Sequence, residues 1–152
     1  MGLRRKSRES ALQILFEREF NDLQTERLFD EFWKNKKASE PVKEYANWLV
    51  KGTVDHQEEV DKLIQGTSKH WRLARMAIVD RNILRIAVFE LLHEEQMAPA
   101  IIINEAIEIA KKYSSDKAGM FVNGILDAVR KKIGPRESSK EEKDNERKSK
   151  KK

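Results

Sequence analysis

The stretch Ile78-Val79-Asp80-Arg81-Asn82-Ile83-Leu84-Arg85-Ile86-Ala87-Val88-Phe89-Glu90-Leu91-Leu92 decides the fold class. Its apolar residues fall on most sides of a helix, so a helix over 78–92 belongs at the centre of a bundle. The flanking sequence supplies apolar stripes to surround it. On the C-terminal side Pro99 suits a first helical turn, and Ile101, Ile102, Ile103, Ala106, Ile107, Ile109 and Ala110 form a wide apolar band, with Glu108 placed to meet Lys112. Residues 101–103 taken alone also read as a strand. Ser114-Ser115-Asp116 offers caps for a last helix, whose Val122, Ile125, Leu126, Val129 and Ile133 recur at helical spacing until Gly134-Pro135 stops it.

On the N-terminal side a first helix is expected over about 3–20, with Ala11, Leu12, Leu15 and Phe16 on one face and Asn21-Asp22 at its exit. Thr25 is the expected cap of a second helix containing Leu28, Phe29, Phe32 and Trp33, which ends in the polar stretch 34–39. A third begins near Pro41 and runs to Ile64, carrying Tyr45, Trp48, Leu49, Gly52, Val60 and Leu63. Gly66-Thr67-Ser68 stops it and marks a subdomain boundary. The pattern therefore predicts an all-α chain with a helical subdomain over 1–66, a second over 67–135, and a charged tail over 136–152. Ordering that tail would cost conformational entropy with no apolar surface to offset it, so it is expected to be disordered.

Composition supports helices and narrows the chemistry. Of 152 residues, 39% are hydrophobic and 38% charged, with three prolines, six glycines and no cysteine. A disulfide framework, a thiolate zinc site and a cysteine nucleophile are excluded. The start Met-Gly-Leu-Arg-Arg-Lys has no apolar run behind it, and no later segment approaches a membrane-spanning length without charge, which predicts a soluble cytoplasmic protein. The net charge of +5 is unevenly placed. Arg4, Arg5, Lys6 and Arg8 precede every acid, and residues 136–152 hold eight bases against five acids, so the body between them is slightly acidic.

The glycines form neither a dinucleotide fingerprint nor a P-loop, which argues against nucleotide hydrolysis. His56, His70 and His93 are too scattered for a local metal motif and read as surface or cap residues, and no carboxylate pair shows an activating context. Catalysis is not indicated. The Arg4–Arg8 cluster is the sharper signal. It places four cations at the positive end of a helix dipole, a misplacement costing roughly 0.3–1 kcal/mol each, so stability alone would not select it. It reads as a phosphate-binding surface or as a solvated basic arm. Phe121, beside Lys117, Asn123 and Gly124, reads as a stacking platform for an unpaired base or as a core residue. Gly124 within a helix costs about 1 kcal/mol relative to alanine, which close approach of a backbone or ligand would explain. Asn104-Glu105, polar within an apolar helix, reads as a buried cap or inter-helix tie.

Taken together, Arg4-Arg5-Lys6-Ser7-Arg8-Glu9-Ser10-Ala11-Leu12-Gln13, Asn82-Ile83-Leu84-Arg85-Ile86-Ala87, Ile103-Asn104-Glu105-Ala106-Ile107-Glu108, Lys111-Lys112-Tyr113 and Phe121-Val122-Asn123-Gly124 resemble, in order and spacing, the NusB transcription antitermination family. The resemblance spans about residues 4–133. It implies an all-helical protein of about seven helices in two small bundles, without enzymatic activity and without a cofactor, that binds boxA-type single-stranded RNA of nascent transcripts, notably of rRNA operons. It further implies NusE, the ribosomal protein numbered ten, as protein partner within the RNA polymerase antitermination complex. Some members self-associate through the RNA-binding surface, so a homodimer is among the implied states. The family's arginine-rich motif falls on Arg4, Arg5, Lys6 and Arg8, and its helix aromatic on Phe16, where many members have tyrosine. Asp116, Lys117, Phe121 and Asn123 complete the implied RNA-binding set. Asp80, Arg81 and Glu90 are the implied partner-binding residues, with Asp80 foremost. Two rival readings stand beside this one: a helical protein-interaction module whose basic ends serve solubility, and the partner of an RNA methyltransferase. The chain is expected to end too early to carry a catalytic domain of its own.

Overall fold

The computed structural model describes residues 2–135, so the expectation of a disordered tail over 136–152 lies outside the described residues. Seven α-helices and one 3-10 turn follow in order: α1 Leu3–Phe20, α2 Thr25–Trp33, α3 Glu40–Asp55, α4 Gln57–Thr67, the turn Leu73–Arg75, α5 Ile78–His93, α6 Pro99–Tyr113 and α7 Asp116–Ile133. Among the described residues there is no strand, and residues 101–103 lie inside α6 with Ile102 and Ile103 buried. The chain is all-α.

α5 is the hub. It packs against α1, α3, α4, α6 and α7, and Ile83, Leu84, Ile86, Ala87, Val88, Phe89 and Leu91 are all buried. Apolar side chains from these helices join one contiguous core, which includes Leu12 and Leu15 of α1, Leu49 of α3, Ile64 of α4, Ile102 of α6 and Leu126 of α7. Fully burying each such side chain contributes about 1.5–3 kcal/mol. The all-round hydrophobicity of 78–92 is thus used on every side.

The third helix does not run unbroken to Ile64. His56 leaves helical geometry (φ −108°, ψ 18°) between α3 and α4. Its N–H still donates to the Gly52 carbonyl at 2.9 Å, and its own carbonyl accepts from Val60 N–H at 2.9 Å, so the break leaves few backbone groups unpaired. It lets α3 pack on α1 and α4 on α7 while both touch α5. Thr25 is not a cap: Gln24 holds the extended position and Thr25 begins the first turn. At α7 the expected cap is present, with Ser115 Oγ accepting from Ala118 N–H at 3.0 Å, and Gly134 ends the helix at φ 76°, a left-handed conformation that favours glycine.

Two glycines differ from the sequence reading. A Cβ at Gly124 would meet nothing within 4 Å, so none of the described residues approaches closely there. Gly52 is the close approach: a Cβ would lie 1.9 Å from Phe89 Cζ, so only glycine lets the aromatic ring of α5 seat against α3.

Candidate nucleic-acid interface

The four cations of α1 separate according to helix geometry. Arg8 precedes Ala11, Leu12 and Leu15 by three, four and seven residues, which places it on the core face. Its side chain is 3% exposed, and Glu90 of α5, 1% exposed, meets it there. Nε and Nη2 of Arg8 donate to the two Glu90 oxygens at 2.7 and 2.8 Å, a bidentate pair. Tyr45 of α3 donates its hydroxyl to Glu90 Oε2 at 2.8 Å. Burial, followed by the Glu90 charge and hydrogen bond, pushes the Tyr45 phenol well above its ordinary range, so it stays protonated as the donor. Burial opposes the charge on Arg8, but Glu90, Tyr45 and Glu105 outweigh it and raise its pKa. Arg8 and Glu90 are therefore enclosed by the fold, and neither presents its charge to a phosphate or a protein partner at the surface.

Arg5 is half-exposed and ion-paired to Glu105 of α6 through Nε and Nη2, and Arg8 Nη1 reaches the same carboxylate at 3.5 Å. The Glu105 hydrogen bond leads in raising the Arg5 pKa. Glu105 is thus the inter-helix tie foreseen for Asn104-Glu105, while Asn104 itself is exposed. Lys112 pairs with Glu9 at 2.8 Å, not with Glu108, which pairs with Lys111 at 3.6 Å. Carboxylates of α5 and α6 thereby offset the adverse charge placement on α1 that its own sequence leaves uncompensated. Arg4 lies exposed with its guanidinium 3.6 Å from the centroid of the Tyr45 ring, and Lys6 is exposed.

At the other end of α1, Phe16 is exposed and packs on exposed Phe20 with centroids 5.2 Å apart. Between them in sequence, Glu19 accepts from Arg81 Nη2 at 2.9 Å, Arg85 Nη1 at 3.3 Å and buried Asn82 at 3.3 Å. These bonds, Arg81 first, hold the Glu19 carboxyl below its ordinary range. Arg81, an implied partner residue, is engaged by this link and only partly exposed.

The third assembly is a surface cavity of about 370 Å³ that takes in Trp71, Met76, Asp80, Ser115, Lys117 and Phe121. Trp71 is 59% exposed and meets the half-buried Phe121 ring edge-on at 6.1 Å. Asp80, in the first turn of α5, has a buried Oδ1 with no hydrogen-bond partner among the described residues. An exposed indole, a half-buried phenyl ring set edge-on to it and a lysine on one concave surface suit an unpaired nucleobase stacked on Trp71. Asp116 and Asn123 are exposed, and neither lines this cavity. The structure brings together Phe121, Lys117 and Asp80, which the sequence placed in different sets. Trp71 was missed because it sits in an aperiodic connection, where only its exposure marks it out. His56 and His93 come within 4.6 Å, yet among the described residues no three His, Asp or Glu side chains form a metal-binding group.

A basic helix terminus and an aromatic-walled surface cavity on an all-helical scaffold are the equipment of a helical nucleic-acid-binding protein. The chain belongs to the NusB family, whose model matches residues 5–131. Transcription antitermination protein NusB of Syntrophus aciditrophicus (strain SB) is 38% identical over 141 residues, 93% of this chain and 88% of that protein. The protein of the same name from Bdellovibrio bacteriovorus is 45% identical over 129 residues, 84% of this chain and 95% of its own length. Among solved structures, T. maritima NusB matches with a TM-score of 0.81 at 38% identity, covering 89% of this chain and 95% of that one. A crystal structure of the antitermination factors NusB and NusE in complex with dsRNA holds a chain matching with a TM-score of 0.75 at 35% identity, covering 86% and 98%. No helix among the described residues is long and apolar enough to cross a membrane.

Proposed function

We propose that the chain is a transcription antitermination factor that binds boxA-type single-stranded RNA of nascent transcripts, notably of rRNA operons, together with NusE, and joins the antitermination complex on RNA polymerase. The observation that carries this is the match, over 86% of the chain, to the NusB fold of the complex with NusE and dsRNA, which supports RNA and NusE binding, while the preference for a single strand follows from the family resemblance. Its work is scaffolding, with no catalytic step assigned to any residue, and its place is the cytoplasm, where such complexes assemble. Exposed Arg4 and Lys6 hold phosphates, and Arg5 joins them when its pairing with Glu105 is exchanged. Trp71 and Phe121 take a splayed base, with Lys117 at the cavity and Asp116 and Asn123 on the exposed start of the same helix. Arg8 and Glu90 act as positioning residues that fix the basic terminus to α5. Phe16, which the resemblance assigns to RNA, we place instead on the partner face, where the exposed Phe16–Phe20 pair beside Asp80 and the Arg81–Glu19 link makes an apolar anchor rimmed by charge of the kind protein interfaces use. The division at residue 66 we retain as a proposal about folding units, with α5 shared between them.

Fluorescence titration of boxA-like and scrambled RNA, with and without NusE, tests the reading. BoxA-like RNA should bind more tightly, NusE should tighten it further, and both affinities should weaken with salt. Equal affinity for the two RNAs in both conditions would refute it.

A further inference from the structure

We propose that the groove between α1 and the α2–α3 connection is a second phosphate-binding site, which holds the backbone of RNA flanking the recognised element. The proposal rests on the RNA reading above and extends the footprint of the arginine-rich motif, through Lys6, onto the α2–α3 connection.

The groove has a volume of about 480 Å³ and is bounded by Lys6, Ser10 and Gln13 on α1 and by Lys36, Lys37 and Ser39 on the connection. Three lysines from two facing elements thus line one concave surface. Among the described residues the lysines in ion pairs are Lys43, Lys111, Lys112 and Lys131, which leaves Lys6, Lys36 and Lys37 unneutralised. Among the described residues the one carboxylate lining the groove, Glu9, is held by Lys112 at 2.8 Å. Lys36 is pre-positioned, its Nζ 3.3 Å from the centroid of the Phe32 ring.

The wall is also fixed. Trp33 donates its indole N–H to Asn47 Oδ1 at 2.8 Å and meets Phe32 edge-on at 4.8 Å. It is half-buried and its indole N–H is engaged. Cations with hydroxyl and amide groups dominate the lining, a chemistry that favours the sugar-phosphate backbone over any particular base. Lys6 belongs both to the exposed basic terminus of α1 and to the groove lining, so it links an RNA strand held at the terminus to the groove. The lysine-rich connection carries this function, although in the sequence it reads only as a polar helix end.

The test uses the full chain and two RNAs: a short one carrying only the boxA-like element, and the same element extended by unstructured uridines. The unaltered protein should bind the extended RNA severalfold more tightly and with a steeper salt dependence. Lys36→Gln/Lys37→Gln should remove that gain, with the log–log salt slope on the extended RNA shallower by about 0.7 per lysine lost. Affinity for the short RNA should be unchanged. Lys36→Arg/Lys37→Arg should restore the gain, and unaltered melting curves would show that both variants fold. Three results would overturn the groove alone: no gain from the extension, a gain retained by the glutamine variant, or an equal loss on both RNAs. A protein that binds neither RNA would overturn the RNA reading itself, and the groove with it.

Discussion

Arg8→Ala separates two roles that one arginine in a basic motif could have. The structure makes Arg8 a buried half of a bidentate pair, 3% exposed against a carboxylate that is 1% exposed, at 2.7 and 2.8 Å. Truncating it leaves the Glu90 charge enclosed with the Tyr45 hydroxyl as its remaining close donor. Breaking a buried pair in this way costs about 3–5 kcal/mol. For a folded part of this size that corresponds to a fall in melting temperature of roughly 10–20 °C. Glu90→Leu should cost a similar amount. Arg8→Met/Glu90→Leu should recover most of the loss, because two apolar groups leave no unpaired charge. Circular dichroism melts and urea titrations of the unaltered protein, Arg8→Met, Glu90→Leu and the double variant give the coupling energy, which should be several kcal/mol. A melting temperature for Arg8→Ala within a few degrees of the unaltered protein, or a coupling near zero, would refute the buried pair. If stability were unchanged while the salt slope of RNA binding became shallower, Arg8 would be a surface phosphate ligand after all.

Gly52→Ala should destabilise by at least about 1–3 kcal/mol, since its Cβ would overlap the buried Phe89 ring, while Gly124→Ala, with open space around it, should stabilise by about 0.5–1 kcal/mol; urea midpoints for the two variants should move in opposite directions. Stability should fall in two steps on acidification. Burial, then the neighbouring His56, lowers the His93 pKa, so the folded state takes up its proton less readily than the unfolded chain and stability is lost as pH drops below about 6.5. Glu19, held low chiefly by Arg81, adds a second loss as pH falls below about 4.5 through its folded value. His93→Gln should flatten the upper step and Glu19→Gln the lower in pH-dependent urea melts, and unchanged profiles would contradict the assignment. Phe121→Ala and Trp71→Ala should each weaken RNA binding by about 1–3 kcal/mol if the rings stack on a base; normal affinity with an intact fold would remove the cavity from the interface.

Helix identities were legible because periodicity depends on local spacing. The apolar stretch 78–92 announced a central helix, and Pro99, Ser115 and Gly134 marked boundaries that the structure keeps. The break at His56 was not legible, since neither proline nor glycine stands there and the hydrogen bonds nearly continue through it. Its cause is the need of α3 and α4 to reach different neighbours around α5. The candidate site was only partly visible for a related reason. Arg8 stands at the start of the apolar stripe of α1 and Glu90 near the end of that of α5, positions that suit a buried pair, but the sequence shows neither that the helices face each other nor at what height.

What the sequence determined by itself is the all-α class, the family and the supply of cations and aromatic rings, because these follow from residue type and local spacing. The tertiary structure decided which of them reach solvent. It buried Arg8, tied Arg5 to Glu105, left Arg4 and Lys6 exposed, brought Trp71 edge-on to Phe121 at one cavity and set Lys6 opposite Lys36 and Lys37. Those outcomes depend on contacts between residues far apart in the chain, and a charge is available to a ligand only where the packing of other helices leaves it unpaired.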